Sequence, residues 1–208
     1  MAHLVNAANR AAYGDLLRAM FRDRKAVFVD RLGWNLSVHE GLEVDPFDAG
    51  GAEYLILREQ RTSDHLGSLR LLPTDRPHLL DTMFAELCEG EIPRGPPIRE
   101  ISRLCLSPRY PASAFADCRA HLATALVEFG LLRGVHTYTA VIEAGNMGAL
   151  LSRGWQCRPL GLPRDYGPLT LLAVSVAVDG RSIELLRRAG NYREHALDCP
   201  AGLEALAA

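Results

Sequence analysis

Ile98-Arg-Glu-Ile-Ser-Arg-Leu-Cys-Leu106 is the stretch on which the reading of this chain turns. A Pro/Gly-rich loop, Glu91–Pro97, feeds it, and its apolar positions are rich enough to make it an internal strand. Glu100 and Arg103 then lie inside a sheet, where ionised groups need partners. Strand alternation puts Glu100 and Ser102 on one face and Ile101 and Arg103 on the other. Bringing both ions into one site therefore demands a bulge or a splayed sheet at this strand.

Upstream, Leu66–Leu72 reads as a second internal strand, within Leu66-Gly-Ser-Leu-Arg-Leu-Leu-Pro73, and carries Arg70. It is paired through a polar turn at Gln60–Asp64 with a strand at Ala52–Arg58. Before these, Leu16, Leu17, Met20, Phe21, Val27 and Phe28 have helical spacing, predicting a helix from Tyr13 to about Leu32 that Gly33 ends. Asn35–Gly51, acidic and turn-rich, reads as a loop. A short helix is expected over Leu80–Leu87. Downstream come a helix over Asp117–Leu132 closed by Gly134, a strand Val135–Ile142, a helix Asn146–Arg153 and a turn at Gly154. The β-branched run Leu169–Val178 predicts a buried strand, and Ser182–Ala189 a last helix. The order describes one α+β domain: a mixed sheet with helices on both faces.

Composition narrows the function. At 208 residues the chain can bury a core without staples, and a net charge of −2 argues against nucleic acid as partner. Lys25 is the only lysine; every other side-chain cation except histidine is arginine. Cys88, Cys105, Cys118, Cys157 and Cys199 form no C-x-x-C pair and no zinc-ligand cluster, so no metal is expected, and idle thiols suit a reducing cytoplasm. Met1–Arg10 lacks a signal-peptide pattern and no apolar run is long enough for a membrane span, so a cytoplasmic protein is expected.

The informative residues are polar ones embedded in apolar elements. Arg24 and Phe28, four apart, would share a helix face with Trp34 just beyond. An arginine beside two aromatics can hold a carboxylate while the rings cover a cation or an adenine; equally, it can be a surface arginine beside two core rings. Glu43-Val-Asp45-Pro-Phe47-Asp48 puts three carboxylates around a proline turn, which turn-making alone could explain.

The ordered set Arg24, Phe28, Trp34, Asp45, Asp48, Arg70, Glu100 and Arg103 resembles the LuxI-type autoinducer synthase family. So do the strings E-x-D-x-F-D at Glu43–Asp48, G-S-x-R-L-L-P-T at Gly67–Thr74 and E-I-S-R-L at Glu100–Leu104. The likeness covers roughly the first half of the chain and fades beyond Arg109, where Arg153-Gly154-Trp155 is the main similarity.

The resemblance implies a single N-acetyltransferase-like domain with a V-shaped cleft between strands. Residues 1–51 would be a mobile part binding S-adenosylmethionine through Arg24, Phe28 and Trp34, and residues 52–208 an acyltransferase-like core. It implies an acyl-homoserine lactone synthase with no cofactor, S-adenosylmethionine being a substrate and acyl carrier protein the acyl donor. Glu100 would be the base, held ionised by Arg103 and Arg70, with Asp45 and Asp48 completing the charge network. Thr139 or Glu143 would face the acyl chain, while Arg153, Arg158 and Arg164 are docking candidates for the acidic carrier. The signature of acetyl-CoA users survives only as Arg109-Tyr-Pro-Ala112-Ser-Ala114, without the glycines that make a pyrophosphate nest. A coenzyme-A-dependent N-acyltransferase and an inactive, partner-binding acyltransferase-like module remain as alternatives.

Overall fold

The structure is a computed structural model that describes residues 1–49, 51–59, 62 and 64–198. β1 (Ala2–Val5) leads to α1 (Gly14–Arg24), which continues without a break as a π-helical stretch, Lys25–Arg31. A small hairpin, β2 (Val38–His39) and β3 (Leu42–Glu43), precedes β4 (Glu53–Arg58) and β5 (His65–Pro73). Then follow α2 (Leu79–Met83), β6 (Ile98–Leu106), α3 (Phe115–Arg133), β7 (Thr137–Glu143) and α4 (Met147–Ser152). The chain continues through β8 (Gln156–Pro159), β9 (Arg164–Tyr166), β10 (Leu169–Ala177), α5 (Ser182–Arg188) and β11 (Leu197–Asp198).

The main sheet runs β11-β1-β4-β5-β6-β7-β10-β8, with β9 also on β10. Its pairs are antiparallel except β1 with β11 and β6 with β7. The parallel β6–β7 pair needs a crossover, which α3 supplies. Strand period two divides the core. Tyr54, Ile56 and Leu72 pack with Leu16, Leu17, Met20 and Phe21 of α1, while Leu55, Leu57, Leu69 and Leu71 pack with Leu122, Leu126 and Phe129 of α3. Helices thus cover both faces, as expected. α3 stops at Gly134, whose left-handed φ of +64° lets its N–H reach back to Gly130 and turns the chain into β7.

Two irregularities make the site. β6 pairs with β7 only from Ile98–Thr137 to Ile101–Ala140; beyond that rung β6 follows β5 to Leu106 and β7 follows β10, so the sheet opens as a V. The β5–β6 register also slips between Ser68–Cys105 and Arg70–Ser102, and Arg103 sits at φ +52°. This is a bulge held in a left-handed conformation that costs a non-glycine residue about 1 kcal/mol or more. It turns Arg103 to the Glu100–Ser102 face, meeting the demand set by strand alternation.

Several short elements escape the sequence pattern: β1, β8, β9 and β11, and the hairpin β2–β3 inside the expected loop Asn35–Gly51. The N-terminal part expected to run to residue 51 thus contributes a strand, β1, to the core sheet between β4 and β11. The helix expected over Tyr13–Leu32 changes winding at Lys25. Most of the turn expected at Gln60–Asp64, and Cys199, lie outside the described residues. Among the described residues, no helix is long and apolar enough to cross a membrane.

Candidate active site

Above the bulge lies a compact ionic network of three arginines and three carboxylates. Arg24, from the end of α1, donates to Glu43 at 2.5 Å and to both Asp48 oxygens at 2.9 and 3.1 Å. Arg70, from β5, grips Asp45 at 2.6 and 3.1 Å, Asp48 at 2.9 Å and the Ser102 hydroxyl at 3.0 Å. Arg103, aimed by the bulge, closes the circuit on Glu43 at 3.1 Å and Asp45 at 2.9 Å. Asp45 caps the turn at Pro46, accepting the Phe47 N–H, and Asp48 accepts the Asp45 N–H, so the acidic loop is wound tightly enough to present both carboxylates.

The charges cancel, which is what burial at this depth requires: Arg24, Arg70, Glu43 and Asp48 are almost wholly enclosed. Burial alone would push the Asp48 carboxyl up, but Arg24, with Arg70 behind it, holds it far below the usual carboxylate range. Tyr54, buried and donating to Asp48 at 2.8 Å, has its hydroxyl pKa driven upward by burial and by that carboxylate. Glu43, Tyr54 and Ser102 are partners to which the sequence assigned no role, although Glu43 lies in the quoted acidic string.

Arg24 is expended in this network. Its guanidinium lies over Phe21, 5.0 Å from the ring centroid, and not over Phe28 as helical spacing suggested. The π-helical winding from Lys25 breaks the four-residue register. Phe28 instead stacks on Trp34, with centroids 5.0 Å apart and planes at 13°, and Arg103 stands 5.7 Å from its ring.

Glu100 makes no ion pair with Arg103 or Arg70, which were expected to hold it ionised; of the two, only the Arg70 charge is among the influences that lower its pKa. Its oxygens accept the Leu79 and Leu80 N–H groups of α2 at 2.8 and 3.1 Å. Burial raises its pKa to about 7, with those two N–H groups only partly offsetting the desolvation. A carboxyl so tuned exchanges protons near neutrality.

A cavity of about 530 Å³ runs through the V. Phe28, Trp34, Ser102 and Arg103 line it near the network; Ile101, Ala140, Ile142, Leu122, Leu126 and Trp155 line it on the α3 side. Neither Thr139 nor Glu143 is among its lining residues: Thr139 points to the opposite face, beside Glu100, and Glu143 is exposed at the end of β7. Arg153 does line it, donating to the Ala149 carbonyl at 2.9 Å, whereas Arg158 and Arg164 are exposed on β8 and β9.

A second buried chain was not anticipated. Asp23 accepts from His65 at 2.7 Å and from Arg109 at 3.1 Å, and the other His65 nitrogen meets the Ser68 hydroxyl at 2.9 Å. Burial lowers the His65 pKa despite the neighbouring Asp23 carboxylate. Arg109 also pairs with Asp64 at 3.2 Å, so it is tied to α1 and to the start of β5.

The fold and the sequence resemble those of known proteins. The structure superposes with a TM-score of 0.86 on a CoA-dependent acyl-homoserine lactone synthase, BjaI, solved with SAM and isopentyl-CoA; the two are 28% identical, covering 100% of this chain and 98% of that one. An isovaleryl-homoserine lactone synthase of Bradyrhizobium diazoefficiens is 30% identical over 89% of this chain and 84% of its own length. An N-acetyltransferase from Lactobacillus plantarum, 19% identical with a TM-score of 0.56 over 85% of this chain and 97% of its own, shares the fold alone. The model of the autoinducer synthase family matches residues 9–186, which takes in the network, Glu100 and the whole V, and this chain belongs to that family.

Proposed function

We propose that this acyl-homoserine lactone synthase takes its acyl chain from acyl carrier protein and joins it to S-adenosylmethionine. The observation that carries the reading is the V itself: an apolar cavity on one face of the sheet reaches Ser102 and Arg103 of a rigid ionic frame on the other, with the buried Glu100 carboxyl one step below Ser102 on β6. In the first step the α-amine of S-adenosylmethionine attacks the thioester carbonyl. The amine proton passes to Glu100, directly or through a water, and the carrier thiol leaves. A base whose pKa is about 7 suits an amine of pKa near 8. In the second step the methionine carboxylate displaces methylthioadenosine from its own γ-carbon and closes the lactone. S-adenosylmethionine is therefore a substrate and not a cofactor, and both steps ask the protein chiefly to position reactants.

The stacked Phe28 and Trp34 offer an aromatic face to the sulfonium, worth about 0.5–2 kcal/mol. Arg24, Arg70 and Arg103 with their carboxylates form the frame that sets this wall and do not themselves grip the substrate. Acyl carrier protein is favoured over coenzyme A because the loop opening α3 lacks glycines and its Arg109 is already paired with Asp23 and Asp64. Exposed Arg158 and Arg164 offer positive charge to the acidic carrier. Coenzyme A is the second reading, favoured by the CoA-dependent synthase that this fold matches.

Mass spectrometry of purified reactions distinguishes them. Lactone and methylthioadenosine should form from acyl carrier protein with a KM that rises steeply with salt, as docking between exposed charges does. A low, salt-insensitive KM for acyl-CoA would move the assignment to coenzyme A.

A further inference from the structure

The apolar arm of the cavity ends on two polar side chains. α3 and α4 both run from the parted end of the sheet to its closed end. α3 takes the chain from the end of β6 to Thr137, opposite Ile98 in the β6–β7 ladder. α4 takes it from the end of β7 to Gln156, which faces Ala177, itself opposite Thr137. The cavity lining follows the same course, from Arg119 and Asn146 at the parted end to Val176, Trp155 and Arg153 at the closed end, where Asn191 joins Arg153. Val176 lies opposite Tyr138, below the Ile101–Ala140 rung at which β6 and β7 part. An acyl chain laid along Ala140 and Val174 thus points its far end at Arg153 and Asn191.

Both side chains are fixed in place. The Asn191 amide nitrogen donates to the Arg153 and Ala189 carbonyls at 3.2 and 3.3 Å. Its backbone N–H reaches the Leu186 carbonyl at 2.8 Å, and its own carbonyl accepts the Thr124 hydroxyl at 3.2 Å. Two carbonyls facing one amide atom identify that atom as nitrogen, which leaves Oδ1 as an acceptor. Among the described residues Oδ1 takes no hydrogen bond. Arg153 spends Nη1 on the Ala149 carbonyl at 2.9 Å and forms no ion pair among the described residues, so its Nε and Nη2 donors are unspent. The closed end therefore presents one acceptor and one charged donor to whatever fills the arm.

We propose that the acyl chain this enzyme transfers carries a hydroxyl at its far end, which accepts from the Arg153 guanidinium and donates to Asn191 Oδ1. The inference rests on the reading of the cavity as the seat of an acyl donor to S-adenosylmethionine. A hydroxyl is the simplest group that is donor and acceptor at once. A keto oxygen has no proton for Asn191, and a carboxylate would set its oxygens against Oδ1. A methyl end would desolvate an amide oxygen and a guanidinium and give neither a partner. The rest of the arm, along Leu122, Leu126, Ala140 and Val174, asks only for hydrocarbon, so the discrimination falls on the far end.

The test is competition, read by mass spectrometry of the lactones, between equal amounts of acyl donors on one carrier that end in methyl, hydroxyl or carboxyl. Straight chains form one series and chains closed by a phenyl ring another, each compared at the length turned over fastest, so the winning series tells which skeleton bears the hydroxyl. Wild type should favour the hydroxyl-ended donor over its methyl-ended match about tenfold in kcat/KM in one of them. Arg153→Leu should remove that preference, and Arg153→Lys, which keeps a charged donor, should retain part of it. No preference in either series, or a preference for the methyl or carboxyl end, would overturn the assignment. So would Arg153→Leu losing rate equally on all donors, the mark of a residue that docks the carrier or only supports the fold. If the leucine variant does not fold, the wild-type ratio decides on its own. Wild type that makes no lactone from any donor would sink the synthase reading and this proposal together; wild type that uses methyl-ended donors as well or better sinks only this one.

Discussion

With Glu100 as the proposed base, a single carboxyl sets the pH behaviour of the reaction. Glu100 has its pKa raised to about 7, so the acidic limb of the rate profile should fall near neutrality. Glu100→Gln should lower turnover by about 10²–10⁴-fold and erase that limb; a variant with wild-type turnover would remove Glu100 as base. The same shift is a stability statement. The folded state holds this proton more tightly than the unfolded chain, so the contribution of Glu100 is intact below about pH 4.5 and declines as pH rises toward 7. At roughly 1.4 kcal/mol per pH unit the total is about 3 kcal/mol, and Glu100→Gln should lose this slope in denaturant titrations. Arg24 behaves differently. Replacing it with alanine leaves three carboxylates to two arginines, a net buried charge at Glu43 and Asp48, and should cost about 3–5 kcal/mol in urea unfolding; a loss below 1 kcal/mol would show that the frame relaxes.

At the level of elements, the strands that carry the site were legible because their ions interrupt long apolar runs. β6 appears with the bounds the sequence suggests, and the β5 and β10 bounds differ by no more than one residue. What could not be read was pairing. The need for a bulge followed from alternation, but its placement at Arg103, which delivers that arginine to Glu43 and leaves Glu100 to α2, depends on tertiary packing. The short strands β1, β8, β9 and β11, of two to four residues, carry too few positions for a period to show. The face of Thr139, offered for the acyl chain, was likewise fixed only by register, which sets it opposite Glu100 and off the cavity lining. Acyl preference should instead respond on the Ala140 side. Ala140→Phe fills the cavity from the floor of its apolar arm and should shift the products toward shorter chains by mass spectrometry; an unchanged product distribution would mean the chain lies elsewhere.

For the whole molecule, composition excluded more than it assigned. A net charge of −2 with cations almost all arginine is compatible with many enzymes, and the order of the ionic residues is what singled out this family. The frame is neutral and drawn from α1, the acidic loop, β5 and β6, all in the first half of the chain, while α3, α4 and the far strands shape the apolar arm. The parted sheet has one further consequence, for the sequence of binding events. The cavity is lined from both faces of the sheet, by Phe28, Trp34, Ser102 and Arg103 on one and by Ile101, Ala140 and Ile142 on the other, so under the proposed function the nucleophile and the thioester have separate sides to occupy. Neither has to leave, or to arrive first, for the other to load. Initial-rate measurements should therefore give intersecting double-reciprocal lines, and each substrate should bind the free protein on its own; parallel lines, the mark of an acyl group parked on the enzyme, would mean that the two sides are not used independently.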